Sequence, residues 1–286
     1  MDPIAFVADP MAYGFMQRGL VAAVLVGVLC AVMGTFVVLK GLAFIGDAVS
    51  HATFPGLVIA YMLGLPLYIG GAIAAVAVSL AIGAVSRGGR LRFDTAVGVL
   101  FAGSFAFGIL LFSTIKNYVA DLLGYLLGNV LGIGIADLVQ VAVLGAVVLT
   151  IVLVLRKELL FSTFDPLGAA ASGLPVAGLE YLLLALLGVT IVVSIQAVGI
   201  IMVVAMLVTP AATAQLVVVR FNQMMTLGAV LAAISAVIGL YASFYLNLAS
   251  GASIVLVETI FFLIALLIGP RTGLLARASR RATAAA

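Results

Sequence analysis

An all-α, polytopic membrane protein is the fold class that three observations predict. Of 286 residues, 66% are hydrophobic and only 8% are charged. A soluble domain carries roughly 25% charged residues, so thirteen basic and ten acidic side chains are too few to coat a globule of 29.2 kDa. Apolar runs of about 20 residues, the length that crosses a bilayer as helix, recur from end to end. Soluble enzymes, nucleic-acid binders and disordered chains are excluded on these grounds. One cysteine and one histidine exclude an internal disulfide, a cysteine-based zinc site and a three-histidine centre within one chain.

The runs divide residues 1–286 into about nine spans of a single transmembrane domain, or eight if one segment is re-entrant. The first extends from Phe15 to Leu39, the second from Leu42 to Leu63 and the third from Pro66 to Ser86. A basic loop, Arg87-Gly-Gly-Arg90-Leu-Arg92, precedes the fourth span, Asp94 to Ile115. Gly124, Gly128 and Gly132 then recur at a spacing that gives a helix one smooth face, as in a short or re-entrant packed piece. The fifth span is Ala136 to Leu155, and Arg156 to Pro175 is the longest polar interruption. Val176 to Ile195, Val198 to Val219, Met224 to Leu246 and Ser253 to Ile268 complete the set, before a basic tail over 271–286.

Lysine and arginine collect on the cytoplasmic side of such chains. Lys40, Arg87, Arg90, Arg92, Arg156, Lys157, Arg220, Arg271, Arg277, Arg280 and Arg281 all fall on one side of a nine-span path. Arg18 and Lys116 fall elsewhere, and Asp2, Asp9, Asp121 and Asp137 belong to the other side. The C-terminus is therefore expected inside and the N-terminus outside. The first run lacks an early positive charge and is long enough to span, unlike a signal peptide. Leu29-Cys30 lacks the small residue that a lipoprotein cleavage site needs, so Cys30 reads as a core residue.

An ionisable group in mid-membrane is costly and marks function by default. Asp47 and His51 lie four apart on the second span, on one helix face. Pro55, four residues on, has no N–H for the His51 carbonyl and predicts a kink. A carboxylate, an imidazole and a freed carbonyl suit a divalent first-row metal ion. Proton handling, a structural Asp–His pair and a buried polar network are the other readings of the same residues. Two ligands per chain are too few for tight binding, and a second copy would double them. A transport path also needs binding weak enough to release.

Glu258 in the ninth span either lines that path or hydrogen-bonds a neighbouring helix or an external loop. Glu180 reads as interfacial, Gln196 as a cap at the outer turn, and Met202 with Met206 as packing. Pro210 predicts a kink in the seventh span. There is no His-Glu-x-x-His, Ser50 points away from the His51 face, and no Gly-x-x-x-x-Gly-Lys-Ser/Thr occurs. The chain is thus expected to be neither a protease nor its own ATPase. In the polar interruption, Asp165 followed by Pro166 is a helix start, an N-cap carboxylate ahead of a first-turn proline. Gly173 and Pro175 stop that helix after about two turns. With Phe161 and Phe164 before it, the segment reads either as a docking knob for a soluble partner or as an ordinary surface helix.

Gly-Leu-Ala-Phe-Ile-Gly-Asp47-Ala-Val-Ser-His51-Ala-Thr-Phe-Pro55-Gly resembles the signature of the permease subunits of manganese/zinc/iron ABC importers, the ABC-3 type metal permeases. Asp94-Thr-Ala-Val-Gly-Val-Leu-Phe, the run from Phe164 to Leu174, the proline-bearing stretch from Val198, Gly239 to Tyr245 and Ser250 to Val257 resemble further family segments. The likeness covers about residues 12 to 273. It implies a fold like the type II, vitamin B12-type importers with fewer spans, in a prokaryotic inner membrane. It implies a homodimeric pore surrounded by lipid, two ATP-binding cassette subunits inside and an extracytoplasmic metal-binding protein outside. No nucleic acid and no permanently bound cofactor enter; Mn2+, Zn2+ or Fe2+ passes through, and ATP sits on the partner. Asp47 and His51 match the pathway ligands. Asp165 to Leu174 carry over the coupling role, with Phe164, Pro166, Ala170, Ser172 and Gly173 among the matching residues. The alternatives are an ion-coupled secondary carrier using the same pair, and an ABC permease for a metal chelate or vitamin.

Overall fold

The computed structural model describes residues 8–87, 91–115 and 130–269. Beside a helical turn over 8–11, twelve α-helices and one 3-10 turn, Val130–Gly132, are the elements among them. They are α1 (Gly14–Leu39), α2 (Ile45–Ala52), α3 (Phe54–Met62), α4 (Leu67–Arg87), α5 (Phe93–Ser113) and α6 (Ile135–Val154). There follow α7 (Arg156–Phe164), α8 (Pro166–Ala171), α9 (Val176–Val198), α10 (Ile200–Val217), α11 (Phe221–Leu246) and α12 (Ser250–Ile268).

Seven of these, α1, α4, α5, α6, α9, α11 and α12, are long and apolar enough to cross a membrane. The shorter α10 and the α2–α3 pair fill the other two expected crossings, so each predicted span is occupied by helix. The second span is two helices broken at Thr53, beside the kink expected from Pro55. One feature departs from the expectation: the polar interruption begins with a helix of its own, α7. Gly124, Gly128, Arg90, Lys116, Asp121 and the 271–286 tail lie outside the described residues.

The bundle is built around α1 and α9, which are apolar on all sides and buried along most of their length. Little hydrophobic force draws helices together in lipid, so close contact depends on small residues. On α1, Gly27 faces Ala232 of α11, and Gly34 lies so close under the Leu207 carbonyl of α10 that a Cβ would overlap it. Gly56 on α3 and Gly70 on α4 are seated on each other in the same way, each against the other's carbonyl. Gly188 of α9 rests on the backbone of Ala75 in α4. α12 covers α10 and α11, and α5 covers α2 and α3. Because successive crossings run antiparallel, Lys40, Arg87, Arg92, Arg156 and Arg220 share one end of the bundle. Arg18, Asp137 and Gln196 share the other.

Candidate metal site

The chain reaches the candidate pair through a sharp turn. At the end of α1, Gly41 adopts φ +69°. The Leu42 N–H bonds the Val37 carbonyl at 2.9 Å and the Gly41 N–H bonds that of Val38 at 3.1 Å. This is the glycine-dependent cap that lets a helix stop and reverse. α2 then carries Asp47 and His51 one turn apart. The His51 Nε2 lies 3.5 Å from Asp47 Oδ1. Two ligands bound at 2.0–2.2 Å to a tetrahedral centre stand about 3.4 Å apart, so the pair is spaced as two ligands of one ion would be.

The surroundings hold that spacing. Ser50 is buried and donates to the Gly46 carbonyl at 2.7 Å, away from the pair as expected. The Thr53 N–H bonds the Val49 carbonyl at 3.1 Å, and Pro55 offers the His51 carbonyl no N–H. Ser104 of α5 donates to the Ala52 carbonyl at 3.1 Å and ties the break to α5. The imidazole meets the rings of Phe101 and Phe105 at centroid distances of 5.8 and 5.5 Å. Those two phenylalanines lie in the middle of the 21-residue α5, so His51 sits at mid-depth of the bundle.

The pair faces outward. In the single chain the side chains of His51 and Asp47 are 35% and 52% exposed. Among the described residues no third histidine, cysteine or carboxylate joins them. Such a half-site can offer an ion two ligands and an open side.

Glu258 is elsewhere, on α12. It is 2% exposed, and neither carboxylate oxygen has a hydrogen-bond partner. Gly239 of α11 meets Ile254 of α12, with Ser235 and Glu258 each one turn along its own helix from that contact. The Ser235 hydroxyl is likewise buried and unpartnered. Pro210 lies inside α10, which continues as helix through it. Met202 and Met206 are buried in the core, as read from the sequence. Cys30 is a core residue too, with its Sγ 3.3 Å from Ser194 Oγ.

The partners of Gln196 and Glu180 were beyond sequence reasoning. Gln196 donates to Asp137 Oδ1 at 2.7 Å, and the other oxygen of Asp137 accepts from the Gly134 N–H at 3.2 Å. Glu180 Oε2 pairs with Arg87 Nε at 2.9 Å. At the same end of the bundle, Asp165 Oδ1 accepts the Gly168 N–H at 2.8 Å and caps α8 as predicted. Gly173, at φ +83°, ends the helix. Phe161, Phe164 and Leu167 are exposed, Leu167 by 84%, so the α7–α8 corner presents an apolar knob. Pro166, Ala170 and Ser172 are exposed around it, and Leu174 is half-buried.

A helical bundle of this topology, with an Asp–His pair at mid-depth and an apolar knob at its basic end, has the build of a transmembrane permease. The family model described as the ABC 3 transport family matches residues 12–269. The chain belongs to that family. It is 45% identical to the manganese transport system membrane protein MntC of Halalkalibacterium halodurans over 278 residues, 97% of this chain and 95% of that one. It is 41% identical to the chelated iron transport system membrane protein YfeD of Yersinia pestis over 263 residues, 92% and 88% of the two chains. Among solved structures, PsaBC from Streptococcus pneumoniae in complex with Fab superposes with a TM-score of 0.83 at 35% identity, covering 94% of this chain and 97% of that one. A metal-chelate type ABC transporter in an inward-facing conformation shares the fold, with a TM-score of 0.69 at 17% identity over 88% and 85% of the chains.

Proposed function

We propose that this permease imports a divalent transition metal, manganese first and zinc or iron next, as one half of a homodimeric pore. The observation that carries the reading is the 3.5 Å separation of His51 Nε2 and Asp47 Oδ1 on an open face at mid-depth. A second copy facing the first adds another carboxylate and imidazole, making four protein ligands with room for water. Affinity order alone favours zinc over manganese at such a site. Relatives named for manganese and iron transport support placing manganese ahead of zinc.

ATP is hydrolysed by two cassette subunits at the basic, cytoplasmic end, since this chain has no phosphate-cradling loop. The knob of Phe164, Leu167 and the capped α8 docks them, and the C-terminal tail lies on that side of the cell membrane. An extracytoplasmic metal-binding protein delivers the ion to the opposite end. The ion exchanges its carrier for the Asp47/His51 ring, and motion of the docked subunits opens the inner side.

The test is uptake of radiolabelled manganese and zinc by cells expressing the whole transporter. Wild type is compared with Asp47→Ala and His51→Ala at matched membrane levels. Collapse of one metal's uptake in both variants supports the site and names the substrate. Normal uptake in both makes the pair structural, and loss of neither metal but of a chelate moves the substrate class.

A further inference from the structure

The inner ends of α4 and α9 are joined more tightly than packing alone requires. Arg87, the last residue of α4, places Nε 2.9 Å from Glu180 Oε2. Its guanidinium also lies over the Tyr181 ring, 5.1 Å from the centroid. One turn back, Gly83 makes room for Tyr181 and Leu184 of α9, where a Cβ would come within 2.6 Å of Leu184. The planar guanidinium thus pairs with a carboxylate and stacks on a ring at once, an arrangement lysine cannot reproduce.

These residues stand between two functional parts of the chain. Glu180 lies on the second turn of α9, and only Ser172 to Pro175 separate α9 from the α8 knob. From Arg87, α4 runs back to Gly70, which is seated against the Gly56 carbonyl on α3. α3 begins at the Thr53 break, directly after the helix that carries Asp47 and His51. Interfaces of backbone on backbone have no slack to absorb a shift. A displacement of α8 therefore passes through α9 to α4, and from α4 to α3 and the pair, as long as α4 and α9 move together.

We propose that Arg87 and Glu180 are coupling residues, the latch that makes the cytoplasmic end of α4, three turns beyond the Gly188–Ala75 contact, follow α9 when the cytoplasmic partners move α8. The proposal rests on the ATP-driven import proposed above. It assigns a role in transmission, not in metal binding. Both side chains are about one third exposed, so the pair contributes little to stability. Its effect is expected in coupling.

The complete transporter, permease with its cassette subunits, is reconstituted in liposomes. Manganese taken up and ATP hydrolysed are measured together for wild type, Arg87→Gln, Glu180→Gln and the double variant Arg87→Glu/Glu180→Arg. Each single variant is expected to assemble and hydrolyse ATP near the wild-type rate. Each is expected to move on the order of tenfold less manganese per ATP, the usual scale of coupling between sites. The charge-swapped pair is expected to recover most of that ratio. Wild-type ratios in the assembled single variants overturn the proposal, as does a swapped pair no better than either single. The Glu180→Gln change is nearly isosteric and keeps the test open if an arginine variant assembles poorly. Wild-type liposomes that hydrolyse ATP without manganese or zinc uptake refute instead the import reading on which the latch rests.

Discussion

The His51 imidazole meets the Phe105 ring edge-on, with centroids 5.5 Å apart and the planes at 76°. Phe101 closes a second side at 5.8 Å and stacks on Phe105 in turn. α5 therefore confines the imidazole so that Nε2 is held toward Asp47. Groups that orient a ligand typically matter by 10–100-fold in metal affinity. For Phe105→Ala we expect the manganese concentration for half-maximal uptake to rise on the order of tenfold, with protein levels unchanged. Uptake curves for the two proteins decide it. An unaltered curve reduces the ring to packing.

Gly34 allows α1 to lie directly under the Leu207 carbonyl of α10. A methyl group there cannot be accommodated without separating the two helices, and overpacking of this kind costs about 1–3 kcal/mol. The Gly34→Ala permease should therefore melt at lower temperature in detergent. Gly98→Ala, where a Cβ would meet nothing within 4 Å, is the matched control and should leave the midpoint in place. Equal midpoints for the two would contradict the contact.

Asp165 caps a helix of only six residues, too short to persist on propensity. Loss of an N-cap costs about 1 kcal/mol, and asparagine caps as well as aspartate. Metal-stimulated ATP hydrolysis by the assembled transporter should accordingly fall in Asp165→Ala and stay near wild type in Asp165→Asn. If asparagine fails as badly as alanine, the carboxylate charge matters and the cap does not explain the residue.

What was legible in the sequence is local. Pro166 after Asp165, Gly173 at the helix end and Pro55 four residues past His51 each act within a turn or two. Their consequences, a capped helix and a break at Thr53, appear where expected. The apolar run lengths likewise place the crossings to within a few residues. What was not legible depends on residues brought together by the bundle. Glu180 reads as interfacial until α4 brings Arg87 against it, 93 residues away. Gln196 reads as a cap, yet its partner is Asp137, 59 residues distant. α7 was hidden for another reason, since Arg156-Lys-Glu at its start looks like a loop by polarity although all three residues favour helix. The aromatic seat of His51 was also missed. Phenylalanines four apart in an apolar span have no distinguishing pattern until α2 lies beside them.

Glu258 is the side chain whose presence packing least explains. Its two carboxylate oxygens are buried without hydrogen-bond partners. A buried polar group left unsatisfied costs about 1–3 kcal/mol, and hydrophobic residues of similar volume avoid that cost. Glu258→Met should therefore raise the melting temperature of the purified permease. A residue retained at such a cost in mid-membrane is expected to serve the ion path, so the same variant should also take up manganese more slowly than wild type. Melting curves and uptake on one set of preparations separate the two effects. A more stable permease with undiminished uptake would remove Glu258 from the pathway and leave Asp47 and His51 as its ligands. A less stable one would mean that the carboxylate makes an interaction in the assembled transporter that the single chain lacks.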